Sequence, residues 1–137
     1  MRSFVTSAKD FNEALVGSSA SSESFGIRAE RIEPGAALLR IPRSSGVARS
    51  GMNDGPAVMT LIDLAMRAAM ATIDTRGMDA LASHCVINFL RRLPDSDVVA
   101  DCRILNMNEN FVGKVTVWST IDDVDPLCMA ACTYDIP

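Results

Sequence analysis

From residue 25 onward the hydrophobic positions change their period twice, and the changes divide the chain. Phe25–Ile32 and Ala36–Ile41 are short strand-like runs. Glu33-Pro34-Gly35 between them is a tight turn, because proline presets φ and glycine accepts φ > 0. The two runs predict a β-hairpin. A Gly/Ser-rich loop follows over 44–55, and Gly55-Pro56 opens a helix, since the N–H that proline lacks is unpaired in a first turn anyway. In that helix Val58, Leu61, Ile62, Ala65, Met66 and Ala69 form a broad apolar face, Met59 and Met70 flank it, and Leu64 and Ala68 fall on the far side. Asp63 and Arg67 are its only charges. A helix apolar nearly all round is buried on nearly all sides.

Four further strand-like runs come without another long helix: Leu81–Arg91, Val98–Asn108, Phe111–Ile121 and Leu127–Tyr134. Turn-rich segments over Arg92–Asp97 and Asp122–Pro126 join the first pair and the last. Their consecutive placement predicts an antiparallel meander. The fold class is therefore α+β, an antiparallel sheet wrapped around one long central helix. Ahead of the hairpin, Ser7-Ala8-Lys9-Asp10 has capping-box spacing, with Phe11 and Leu15 on one face, which predicts a small helix bracing the sheet. The polar run from Gly17 to Ser22 reads as a loop. The organisation expected is an N-terminal helix and linker over 1–24 and one domain over 25–137.

Composition narrows the partners. At 137 residues and 48% hydrophobic, the chain can close one core without a staple. Its 13 basic residues against 17 acidic ones give a net charge of −4, and no basic run occurs, which argues against nucleic acid. A single histidine excludes a multi-histidine metal or haem site. Cys85, Cys102, Cys128 and Cys132 lack C-x-x-C spacing and sit in apolar strand-like runs, so buried free thiols in a reducing cytoplasm are expected rather than zinc ligands. The first ten residues lack the apolar core of a secretory signal. The apolar stretch from Ala57 to Ile73 is broken by Asp63 and Arg67, too short and interrupted to span a membrane.

Three segments then carry a resemblance. Gly51-Met52-Asn53-Asp54-Gly55-Pro56-Ala57-Val58-Met59-Thr60-Leu61-Ile62-Asp63-Leu64-Ala65-Met66 is similar to a stretch in which His-Gly-Gly opens a central helix and an acidic residue lies nine positions after the His. Ala82-Ser83-His84-Cys85-Val86-Ile87-Asn88-Phe89-Leu90-Arg91-Arg92 is similar to a strand ending in Phe-Leu-Arg-Pro. Met129-Ala130-Ala131-Cys132-Thr133-Tyr134 looks like a closing Cys-Thr-Tyr strand. In this order they resemble the hotdog-fold acyl-CoA thioesterases, in the PaaI-like branch related to phenylacetate degradation, over roughly Phe25 to Ile136.

The resemblance implies a hotdog fold and a thioester hydrolase. Asp63 matches the helix carboxylate that acts as nucleophile or general base, and Gly55 the glycine whose backbone N–H polarises the thioester carbonyl. It also implies a homodimer or a dimer of dimers (a homotetramer), with Gly55 and Asp63 contributed across the interface, and no cofactor beyond the coenzyme A of the substrate. Physical chemistry supports both roles. An N–H in a first helical turn is unpaired and lies at the positive end of the dipole. Aimed at a carbonyl oxygen it stabilises an oxyanion, and losing such a donor costs ~3–4 kcal/mol. A carboxylate among apolar neighbours is partly desolvated and can attack the thioester or activate water. The plain alternative for Asp63 is an i,i+4 ion pair with Arg67 worth ~0.3–0.5 kcal/mol, and the two are not exclusive.

Here Asp54 occupies the family's histidine position and Pro56 its second glycine. Ala48 and Arg49 stand where an Asn or Gln often precedes the carboxylate. Asn53 could hold the water or carbonyl, or simply cap the helix. Asp54 would add a second negative charge near the site. Ser83 and His84, on alternating faces of their strand, could touch substrate or serve structure; by alternation His84 shares a face with Ala82, Val86, Asn88 and Leu90. Arg91 and Arg92 could meet the CoA phosphates or form a solvated strand end. The missing histidine and amide favour an alternative, a non-catalytic hotdog module binding acyl-CoA or another apolar ligand. A hydratase ranks last, because the sole histidine is on a strand.

Overall fold

The structure, a computed structural model, describes residues 4–15, 25–45, 54–122 and 124–137. Helix α1 spans Ala8–Leu15 and hairpin strands β1 and β2 span Arg28–Glu33 and Ala36–Ile41. The long helix α2 spans Asp54–Ala71. Strands β3 Leu81–Phe89, β4 Val98–Met107, β5 Asn110–Ser119 and β6 Cys128–Asp135 follow. All six strands form one antiparallel sheet in the order β1-β2-β4-β5-β6-β3. The polar run at 17–22 and most of the loop before α2 lie outside the described residues.

The hairpin forms as the pattern predicts, with Gly35 at φ +73° in its turn. Helix α2 begins at Asp54, two residues before Pro56, which sits inside the first turn where a missing N–H is harmless. Ser7 Oγ accepts from the Asp10 N–H at 3.1 Å and starts α1. Phe11 and Leu15 are buried in the common core, and Asn12 ties α1 to both backbone groups of Ala29.

One expectation needs correction. The last four strands do not form a continuous meander. Strands β4, β5 and β6 do, but β3 pairs with β6 at the edge, and β4 lies instead against β2. The cause is the connection from Leu90 to Asp97, which is too long and, with Pro94, too stiff for a two-residue hairpin. It carries the chain across to β2, where the inward side chains of β2 and β4 meet the same helix.

Helix α2 packs on β1, β2, β4 and β5. Leu61, Ala65, Met66 and Ala69 from the helix meet Leu39, Cys102, Phe111 and Val115 from the sheet, all without exposed surface. Gly113 on β5 permits the closest approach, since a Cβ there would come within 2.4 Å of Met66 Sδ. The sheet extends beyond the helix, and β3 is exposed along nearly its whole length.

Candidate active site around Asp63

Gly55, Met59, Asp63 and Arg67 follow one another at i,i+4 and form a single stripe along α2. The stripe lies at the margin of the packed face. The Asp63 side chain is 40% exposed and that of Arg67 20%, whereas Met59 is 54% exposed. The ion pair forms, with Arg67 Nε donating to Asp63 Oδ2 at 3.0 Å. The other end of the guanidinium donates to the Met78 carbonyl at 2.6 Å, so Arg67 is fixed at both ends.

Asp63 has a second partner from β6. The Tyr134 hydroxyl donates to Asp63 Oδ1 at 2.5 Å, and the Arg67 guanidinium lies 5.8 Å from the centre of the Tyr134 ring. Tyr134 is 1% exposed. Burial above all, and then the Asp63 charge, push its ionisation far above the ordinary phenol range, so the hydroxyl remains a donor. Sequence reasoning placed Tyr134 in a closing motif without a role. A buried tyrosine needs a partner for its hydroxyl, and that need was the available signal.

The remaining candidates are placed as follows. Gly55 is the second residue of α2, with its N–H in the unpaired first turn. Among the described residues, a Cβ built on it would meet nothing within 4 Å. Asp54 begins the helix, and Asn53 lies outside the described residues. On β3 a bulge at Ser83 interrupts the alternation, so Ala82 lies opposite Tyr134, His84 opposite Thr133 and Cys85 opposite Cys132. Directly opposed residues share a face. Ala82 and Cys85 therefore face α2 with Tyr134 and Cys132, while exposed His84 stands on the outer face, away from Asp63. This corrects the expectation that Ala82 shares the face of His84. Ser83 Oγ donates to the Thr133 carbonyl at 3.2 Å. Arg91 and Arg92 are exposed just beyond β3, and Arg91 is held by the Asp125 carbonyl and by Asp122 Oδ2 at 3.4 Å.

The cysteines are free, as expected, and Cys102, Cys128 and Cys132 are buried, but Cys85 is exposed. Its apolar neighbours suggested burial; an edge strand beyond the reach of α2 leaves them uncovered. No group of three or more metal-ligating side chains occurs among the described residues, and no helix there is long and apolar enough to cross a membrane. A cleft of about 410 Å³ between α1 and the turn after α2 is lined by Phe4, Asp10, Glu13, Thr75 and Met78, and it does not include Asp63.

The geometry sets one firm limit. Gly55 and Asp63 are eight residues apart on one helix, which at 1.5 Å per residue puts them about 12 Å apart along its axis. A reacting carbonyl needs its oxyanion donor and its nucleophile or base each within about 3 Å. One copy of this helix cannot supply both to the same thioester.

Comparison with known proteins supports the fold from outside the chain. The sequence matches no protein-family model and no curated protein. Solved structures do match. Zebrafish thioesterase superfamily member 2 superposes with a TM-score of 0.81 at 13% identity, over 97% of this chain and 100% of that one. A thioesterase of Pseudomonas aeruginosa gives 0.75 at 22% identity, over 93% and 91%. The E. coli PaaI protein of the phenylacetic acid degradation operon gives 0.70 at 19% identity, over 93% and 96%. The fold is the hotdog fold, shared with thioesterase-superfamily proteins. The solved structures that share it include the E. coli PaaI protein, consistent with the resemblance read from the sequence.

Proposed function

We propose that the chain is an acyl-CoA thioesterase that works as a homodimer, with Asp63 of one copy and the Gly55 N–H of the other acting on one thioester. The i,i+4 stripe on α2 carries this reading. Two copies of the helix related by a two-fold axis at Met59 run antiparallel, which sets Gly55 of each beside Asp63 of its partner. Met59 is the exposed apolar residue at the centre of that arrangement. The bare edge strand β3, with Leu81, Val86 and Phe89 exposed and Leu90 exposed just after it, gives a second copy further surface to cover. Among the described residues nothing lies within 4 Å of a Cβ built on Gly55, which suits an acyl group passing close beside it. Arg91 and Arg92 at the end of β3 suit the CoA phosphates.

Hydrolysis of a panel of acyl-CoA thioesters, read by release of free thiol, tests the assignment. Asp63→Asn and Asp63→Ala are expected to lower the rate by ~10²–10⁴. Full activity in both variants eliminates it. A second reading, a module that binds acyl-CoA without turnover, is favoured by one observation: both Asp63 oxygens already accept a hydrogen bond, from Tyr134 and from Arg67. Saturable binding by the native protein with no thiol release selects that reading.

A further inference from the structure

The torsion that turns an aspartate carboxylate about its Cβ–Cγ bond is broad and roughly two-fold. A carboxylate whose side chain is 40% exposed therefore has no fixed plane unless its oxygens are held. At Asp63 each oxygen is held by a donor from a different part of the fold. The Tyr134 hydroxyl donates to Oδ1 at 2.5 Å from β6, and Arg67 Nε donates to Oδ2 at 3.0 Å from the next turn of α2. Both donors are themselves anchored. Tyr134 is buried, and in the ladder it lies between Phe111 on β5 and Ala82 on β3. Arg67 Nη1 donates to the Met78 carbonyl at 2.6 Å, and its guanidinium lies over the Tyr134 ring. That carbonyl belongs to the short turn Gly77–Asp79, which is seated directly on the end of α2: a Cβ at Gly77 would fall 2.5 Å from the Met70 and Ala71 backbone. All of these contacts lie within one chain, so they do not depend on how a second copy packs.

We propose that Arg67 and Tyr134 are positioning residues that fix the plane of the Asp63 carboxylate for reaction. The inference rests on the hydrolytic role proposed for Asp63 and adds to it the means by which that group is aimed. An ionised carboxylate has about four acceptor positions, so with one bond on each oxygen a further position stays open for water. Two bonds on separate oxygens fix the plane; one bond leaves the carboxylate an axis about which to swing. A misplacement of about 1 Å costs about 10²-fold in rate. Both donors act through Asp63, so their loss falls on kcat and leaves KM in place. Lysine at position 67 keeps the charge but lacks the rigid fork that reaches Asp63 and Met78 together.

The test is steady-state hydrolysis of the acyl-CoA thioester that the native protein turns over fastest, by Tyr134→Phe, Arg67→Lys and the two combined, each assayed well below its own Tm. Each single change is expected to lower kcat about 10–100-fold with KM within about threefold. The combined variant is expected to lose less than the product of the two, because either loss already frees the carboxylate. A contact that serves only the fold lowers Tm and leaves kcat native. That result in a folded variant, or a rise in KM at native kcat, overturns the proposal, while native turnover that depends on Asp63 leaves the hydrolytic reading standing. Should Tyr134→Phe fail to fold, Arg67→Lys alone decides. A native protein that releases no thiol, or an Asp63→Asn variant with full activity, overturns the hydrolytic reading and this inference with it.

Discussion

Replacing Tyr134 by Phe removes one oxygen and leaves the buried ring in place. That oxygen donates to a carboxylate, and hydrogen bonds to charged groups contribute about 1.5–3 kcal/mol. The lower part of that range applies here. Asp63 keeps its bond to Arg67, and with its side chain 40% exposed it can recruit water in place of the lost hydroxyl. Tyr134→Phe is therefore expected to destabilise the fold by about 1.5–2 kcal/mol, or about 5–7 °C in Tm for a domain of this length. Thermal and urea unfolding at one fixed protein concentration measure it, since association contributes to apparent stability. A double-mutant cycle with Asp63→Ala isolates the contact from the rest of the tyrosine's environment. If the hydroxyl acts through Asp63, the coupling matches the single-variant loss. A coupling below about 0.5 kcal/mol refutes the reasoning, because the hydroxyl then stabilises the fold through some other group.

Met59→Glu puts like charges at the centre of the α2 stripe, so it is expected to shift sedimentation toward monomer and to abolish hydrolysis while the monomer stays folded; an active dimer contradicts the two-fold arrangement. Gly55→Ala meets no atom of the described residues within 4 Å and replaces a residue of low helix propensity, so stability is expected to hold or rise by up to about 1 kcal/mol. Its methyl group intrudes on the acyl approach, and kcat/KM is expected to fall roughly 10–100-fold. Gly77→Ala brings a Cβ within 2.5 Å of the Met70 and Ala71 backbone, and a loss of about 1–3 kcal/mol by urea unfolding is expected. Burial raises the pKa of Tyr134 and of three thiols, to about 12 for Cys102 and about 11 for Cys128. The unfolded chain therefore releases these protons first. Their contribution to stability is complete below the ordinary thiol value of 9.0 and is lost as pH climbs above it. A urea midpoint that stays flat between about pH 8 and pH 11 contradicts this.

Local pattern sufficed for the elements because each is decided by its own residues. Helix α2 is apolar on almost every side, and Pro34-Gly35 leaves the hairpin little choice of turn. The position of β3 was not legible. Which strand it joins depends on how Leu90–Asp97 routes the chain across the sheet, and no run of β3 residues encodes that. The same non-local placement exposes Cys85, whose apolar neighbours read as core. The Ser83 bulge moved Ala82 to the other face, because alternation presumes an unbroken ladder. At the site, Gly55, Asp63 and Arg67 were legible from helical spacing. Tyr134 was not, because its bond to Asp63 joins residues 71 positions apart.

The place of β3 at the sheet edge also has a consequence during synthesis. Its pairing partner is made last, and even the nearest cross-strand pair, Phe89 with Cys128, is separated by β4 and β5. At translation rates of about 5–20 residues per second, the end of β3 waits roughly 2–8 s before the start of β6 is made. Through that interval Val86, Ile87 and Phe89 have no ladder to join, and the nascent chain presents an unpaired apolar strand to chaperones and to its neighbours on the same polysome.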